Sequence, residues 1–240
     1  MSRKLEYGFL AVFSIILLVA GGYLFQTWAK YHEAALEYQK LQKYRIEKTD
    51  KGTVEADGSK IRDLQKDMED TVQIDFDGLC AINEDIVAWI QIPGIGVDYP
   101  VVQGEDNEYY LHYTFDKKAN IAGSIFLDCR NRADFTDRKV IMYGHHMKDG
   151  SMFSNLEKYQ DDEFRKGHGK VILYLPDQTL EYEVAECRQV PVWDLVYKNI
   201  DEEKENMPKQ MILSTCSSSS EWRLIVKCIV TERFGTWYRK

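Results

Sequence analysis

The chain has 240 residues, of which 44% are hydrophobic, and a formal net charge of -8. That length holds one globular domain of ordinary size plus an appendage, and an acidic balance with no basic patch excludes a nucleic-acid partner. The five cysteines, Cys80, Cys129, Cys187, Cys216 and Cys228, form no C-x-x-C pair, so neither a zinc site nor a dithiol redox motif is expected.

Residues 8–25 are almost wholly apolar and carry no charge. About 18–20 such residues span a bilayer core. Arg3 and Lys4 precede the run, which by the positive-inside rule leaves the N-terminus cytoplasmic and the rest of the chain outside the cell. Tyr23 and Trp28 fit an interfacial aromatic belt, and Gln26-Thr27-Trp28-Ala29 offers no small-x-small cleavage site, so the run reads as an uncleaved single-pass anchor. No second apolar run of that length follows before Lys240. The expected division is a cytoplasmic tail at 1–7, an anchor at 8–28, a helical stalk and linker at 29–58, and an extracellular domain at 59–240.

Residues 29–48 are rich in helix formers but carry no heptad seam, and predict a continuing helix. Asp50, Gly52, Asp57 and Gly58 mark a linker over 49–58. Ile61, Leu64 and Met68 recur at helical spacing, predicting an amphipathic helix over 60–70. A short helix is expected at 78–82 with Asp77 as its cap. From Asp85 the texture becomes β, with strands expected at 87–92, 97–102, 123–127, 140–143, 171–175, 180–190, 211–215 and 223–231. Leu180, Tyr182 and Val184 alternate with Glu181 and Glu183, the pattern of a sheet with one wet face. Pro93-Gly94 and Pro176-Asp177 are turns, and 151–169 and 194–210 are helical or loop insertions. Eight short strands predict a mainly β, closed or nearly closed barrel.

Three features bear on chemistry. Cys216 ends an apolar strand and is followed by four serines, so its thiol stands at a rim as a candidate nucleophile. In an extracellular domain, an odd cysteine count leaves at least one thiol unpaired within the chain. Arg223 opens the next strand, and residues flanking a hairpin loop face each other. A guanidinium there would stabilise a thiolate and an acyl oxyanion. Gly144-His145-His146 ends the strand at 140–143 and offers a general acid–base, with His145 and His146 competing for the role. Gly144 is expected to let the chain turn there. Each feature alone is more often structural: a buried cysteine behaves as a small hydrophobe, and a lone loop histidine is usually solvated. The other four cysteines take the structural reading.

At these residues the chain resembles the sortase family, class B in particular. The family's T-L-x-T-C type signature stands as Ile212-Leu213-Ser214-Thr215-Cys216, and its arginine on the next strand as Arg223, with Arg233 as the fallback. Its histidine follows a glycine at a strand end, which points to His145 over His146. Further matching stretches are Trp89 to Gly94, Asp98 to Gly104, Asp106 to Leu111, Ala122 to Asp128 and Tyr143 to Phe153. One departure is the short loop of four serines between cysteine and arginine.

The resemblance implies an eight-stranded sortase-type β-barrel with N-terminal helices and short helical insertions, preceded by one transmembrane helix. It implies a thiol-dependent transpeptidase of the Gram-positive cell wall with Cys216, His145 and Arg223 as catalytic residues, no metal and no cofactor. It also places Ser214 and the 194–210 insertion beside the substrate groove. The expected partners are secreted proteins bearing a C-terminal sorting motif, the amine of a lipid-linked peptidoglycan precursor, and the membrane itself. Rival readings are a pilus-polymerising sortase, an anchored surface-binding module and an L,D-transpeptidase; the last places its histidine close before its cysteine, unlike this chain.

Overall fold

The computed structural model describes residues 3–47, 72–198, 200, 208–216 and 221–235. The expected linker at 49–58, the amphipathic helix at 60–70, the acidic run at 201–203 and the serine loop at 217–220 lie outside the described residues.

A single helix, α1 (Arg3–Gln39), opens the fold. Its 37 residues extend about 55 Å at 1.5 Å per residue. Leucine and alanine are its commonest residues and no proline interrupts it. From Val12 the helix is long and apolar enough to cross a membrane, and its apolar side chains through Trp28 are exposed. Beyond them its character changes. Ala34 and Tyr38, with Leu41 one turn on, are buried in the same cluster as the barrel interior. Burying Leu41 alone contributes about 1.5–3 kcal/mol. The helix tightens into a 3-10 turn over Lys40–Tyr44.

The expected helix through 29–48 stops short of its predicted end. Strand β1 (Arg45–Glu47) follows and pairs antiparallel with β2 (Val72–Ile74). Three-residue strands are too short to show a period, which is why the sequence hides them. The next short helix, α2 (Phe76–Cys80), also starts two residues before its expected position. Its cap is Asp75, whose carboxylate accepts the Gly78 N–H at 2.9 Å, while Asp77 sits in the first turn.

Eight strands then close a barrel: β3 (Ile86–Ile92), β4 (Val97–Val102), β5 (Ile125–Leu127), β6 (Lys139–Tyr143), β7 (Lys170–Tyr174), β8 (Gln178–Pro191), β9 (Gln210–Cys216) and β10 (Trp222–Gly235). Their order around the barrel is β10-β8-β7-β3-β4-β5-β6-β9. Each matches an expected strand to within a few residues. The interior is filled by one face of each strand, including Met142, Leu213, Leu224, Val226 and Cys228. The 151–169 insertion folds as a 3-10 segment, Ser154–Gln160, and the helix α3 (Asp162–His168), which Asp161 caps through the Glu163 and Phe164 N–H groups.

A second, smaller apolar cluster lies on the outer face of the barrel. It joins Ile141 of β6, Ile212 of β9, Ile225 of β10 and Val190 of β8 to Ile200, with Tyr143, Val196 and Tyr197 packed against it. The segment after β8 therefore lies against that outer face. This layer decides where the functional residues stand.

Candidate active site

Strand register brings the three sequence candidates to one rim. β6 and β9 run parallel, with Ile141 opposite Ile212 and Tyr143 opposite Ser214. The Gly144 N–H continues the ladder to the Ser214 carbonyl at 3.1 Å. His145 and Cys216 each lie two residues past the last paired position, at the same end of adjacent strands. On the other side of β9, β10 runs antiparallel and Arg223 pairs directly with Cys216. Arg233, the fallback arginine, pairs with Leu180 instead. Ten residues of strand separate the two arginines, about 33 Å.

Two-residue alternation sets the face. Position 216 shares the face of Ser214 and Ile212, and Arg223 shares that of Ile225. Because Ile212 and Ile225 belong to the outer cluster, the site is a groove on the barrel's outside, walled by the segment after β8. Tyr197, in the 3-10 turn Leu195–Tyr197, leans over this floor. Its hydroxyl shares a 2.9 Å hydrogen bond with the Ser214 hydroxyl, and its ring stacks on Tyr143 at 6.4 Å between centroids. Burial pushes the Tyr197 hydroxyl above its ordinary pKa, opposed by the Ser214 hydrogen bond and by the positive charge of Arg223 nearby.

The two histidines part company. His145 is half-buried, and its Nε2 lies 2.7 Å from the Leu111 carbonyl. A carbonyl only accepts, so Nε2 carries a proton and Nδ1 holds the lone pair of the neutral ring. His146 is exposed and faces Glu157 at 3.3 Å. Gly144 is needed for a reason other than the expected turn. It does not take a positive φ, but a Cβ there would stand 2.7 Å from the Phe153 ring.

Behind the wall stands a buried carboxylate that the sequence did not single out as functional. Asp128, just past β5, accepts Nε and Nη2 of Arg130 at 2.8 and 2.7 Å, and the Arg130 backbone N–H at 3.0 Å. The Tyr143 hydroxyl donates to the same carboxylate at 2.7 Å. Burial works to raise its pKa, but these hydrogen bonds outweigh it and hold Asp128 below the usual carboxylate range. A fixed chain of contacts thus runs from Arg130 through Asp128, Tyr143 and Tyr197 to Ser214.

The remaining thiols are poor nucleophiles. Burial raises the pKa of Cys80, Cys129 and Cys228, and pushes Cys187 up to about 11. Among the described residues, no group of three or more histidine, cysteine or acidic side chains is placed to hold a metal ion.

The family model for the sortase domain matches residues 90–231, a span that holds six complete barrel strands, the end of β3, most of β10 and all three candidates. The chain belongs to the sortase family. Sortase B of Listeria monocytogenes is 36% identical over 166 residues, covering 65% of this chain and 60% of that protein. The chain therefore spans well under two thirds of that curated relative's length. Among solved structures, a Staphylococcus aureus sortase B–substrate complex superposes with a TM-score of 0.67 at 26% identity, covering 85% of this chain and 99% of that one. A Streptococcus pyogenes class B sortase involved in pilus biogenesis gives 0.60 at 30% identity, covering 65% and 97%. The sortase fold and its class B relatives accord with the barrel as described.

Sequence reasoning missed Tyr143, Tyr197, Asp128 and Arg130 as parts of the site. For Tyr143 a signal existed: it lies two residues before His145, on the strand whose end carries the histidine. Tyr197 falls within the 194–210 insertion that the resemblance set beside the groove, although the residue itself was not named; Asp128 and Arg130 had no signal, because only the folded chain carries them to the groove wall.

Proposed function

We propose that this chain is a membrane-anchored class B sortase, a cysteine transpeptidase. It cleaves a C-terminal sorting motif of secreted proteins and joins the new carboxyl end to the amine of a lipid-linked cell-wall precursor. The observation that carries this reading is the register that sets Cys216 on β9 between Arg223 on β10 and the end of β6 that leads to His145.

The Cys216 thiolate attacks the carbonyl carbon of the motif's threonine. Arg223 stabilises the oxyanion that forms. As the intermediate collapses, the C–N bond breaks, protonated His145 gives its proton to the leaving amine, and a thioacyl-enzyme remains. The acceptor amine then attacks the thioester, yields a proton to His145, and the Cys216 sulfur leaves as thiolate. Ser214 and Tyr197 would border the groove that holds the motif. Exposed Trp193 and Leu195, in the segment after β8, add apolar surface to the groove wall, suited to an extended polypeptide.

The proposed organisation keeps residues 1–7 cytoplasmic, 8–28 in the membrane, 29–58 as stalk and linker and 59–240 as the extracellular domain. It is supported by the apolar stretch of α1 and by Arg3 and Lys4 before it. A pilus-polymerising role is the second reading, favoured by the likeness to the Streptococcus pyogenes enzyme. It changes the acceptor from a cell-wall amine to a protein lysine and leaves the thiol chemistry intact.

The full chain in detergent micelles, mixed with a panel of quenched sorting-motif peptides, is expected to cleave at least one. Adding a short cell-wall-type peptide amine should convert the hydrolysis product into an amide with that amine. A lysine-bearing pilin-type peptide as the better acceptor would favour the pilus role, and no cleavage of any peptide would contradict both.

A further inference from the structure

His145 takes its orientation from the Leu111 carbonyl, so whatever fixes that carbonyl helps to place the histidine. Leu111 ends a 3-10 turn, Tyr109–Leu111, in the connection between β4 and β5. The Ser124 N–H holds this turn from the far side, donating to the Tyr110 carbonyl at 2.9 Å. Gly123 lies against it. A Cβ at Gly123 would stand 2.6 Å from the Tyr110 oxygen and 2.7 Å from the Leu111 oxygen, and the residue has φ +53. Only glycine permits both that backbone conformation and that approach. The Gly123 carbonyl in turn accepts the Tyr38 hydroxyl at 2.5 Å. Tyr38 belongs to α1, the helix that carries the apolar stretch. Its ring is set by edge contact with Tyr99 at 5.2 Å and by Phe115 at 5.7 Å.

We propose that Tyr38 and Gly123 are positioning residues for His145: α1 holds the Gly123 backbone, Gly123 holds the Leu111 carbonyl, and that carbonyl fixes the histidine ring with its proton on Nε2. The anchor helix thereby completes the active site as well as tethering it. The catalytic consequence rests on the reading of His145 as the acid–base of a transpeptidase. The geometric consequence does not.

The test uses the full chain in detergent micelles with 15N-labelled histidine. In the wild type, the neutral His145 ring should show one tautomer, protonated at Nε2. Tyr38→Phe keeps the ring packing and removes the hydroxyl, and with it the hydrogen bond to the Gly123 carbonyl. It should give a mixture of tautomers and lower kcat about tenfold toward a cleaved sorting-motif peptide, with KM unchanged. Gly123→Ala forces the Tyr110 and Leu111 carbonyls to move and should lower kcat further; if it fails to fold, Tyr38→Phe still decides. Glu37→Gln is the control: it removes the ion pairs to Lys40 and Lys118 on the same helix and should leave the tautomer and kcat as they are. A wild-type tautomer and wild-type kcat in Tyr38→Phe would overturn the proposal. Should the wild type cleave no peptide, the transpeptidase reading fails, while the ring spectrum still decides whether α1 sets His145.

Discussion

Cys216→Ala is expected to abolish peptide cleavage and amine transfer, lowering the rate by at least about 10⁴-fold, because on the proposed mechanism no other group forms the thioester. Two features of the fold support an effect this large. Among the described residues, Cys216 is the one cysteine paired in register with an arginine, Arg223. Cys80, Cys129, Cys187 and Cys228 all have raised pKa values, so none supplies a substitute thiolate near neutral pH. Arg223→Ala is expected to lose less, about 10²–10³-fold, as removal of one oxyanion partner does elsewhere. Peptide cleavage measured by fluorescence on matched variants checks both values. A surface-binding module that makes no covalent bond would show no change in ligand affinity for either variant.

Asp128→Asn destabilises the fold by about 2–3 kcal/mol and lowers the thermal midpoint by roughly 5–10 °C. The carboxylate is fully buried and accepts four hydrogen bonds, three from Arg130 and one from Tyr143. An asparagine in the same pose turns an NH2 group toward the Arg130 guanidinium or the Tyr143 hydroxyl, replacing an acceptor with a donor. The loss is smaller than for a fully buried pair because the Arg130 side chain is about half exposed and solvent screens it. The pH dependence has a definite sign. Asp128 has a depressed folded pKa, so its contribution is fully present above the ordinary carboxylate value and is lost as pH falls through the folded one. The wild type should lose stability more steeply than Asp128→Asn on acidification, and thermal melts between neutral and acid pH would show the two curves converging. Parallel curves would mean that the carboxylate is not charged in the fold.

The barrel was legible because its strands repeat with a period of two, and Leu180, Tyr182 and Val184 of β8 do sit inside it. The pairing of Arg223 with Cys216 was legible too, because a hairpin makes sequence neighbours of spatial ones. His145 was different. The parallel pairing of β6 with β9 joins segments far apart in sequence, and no local pattern announces it; only family resemblance singled out that histidine. Short elements were misplaced for local reasons. β1 and β2 are too brief to show a period, and two aspartates near α2 compete for its cap. The Leu111 carbonyl could not have been found at all, because a backbone oxygen leaves no mark in the residue code. The requirement for Gly123 follows from that same oxygen, so it was equally hidden.

The most direct test of the central claim is the mass of the enzyme caught in turnover. The full chain is mixed with a peptide that it cleaves, quenched in acid and weighed intact, then digested to locate any adduct. The expected result is an added mass equal to the peptide portion before the cut, attached at Cys216 and released by hydroxylamine. Turnover with no such adduct, or with the adduct on another residue, would contradict it.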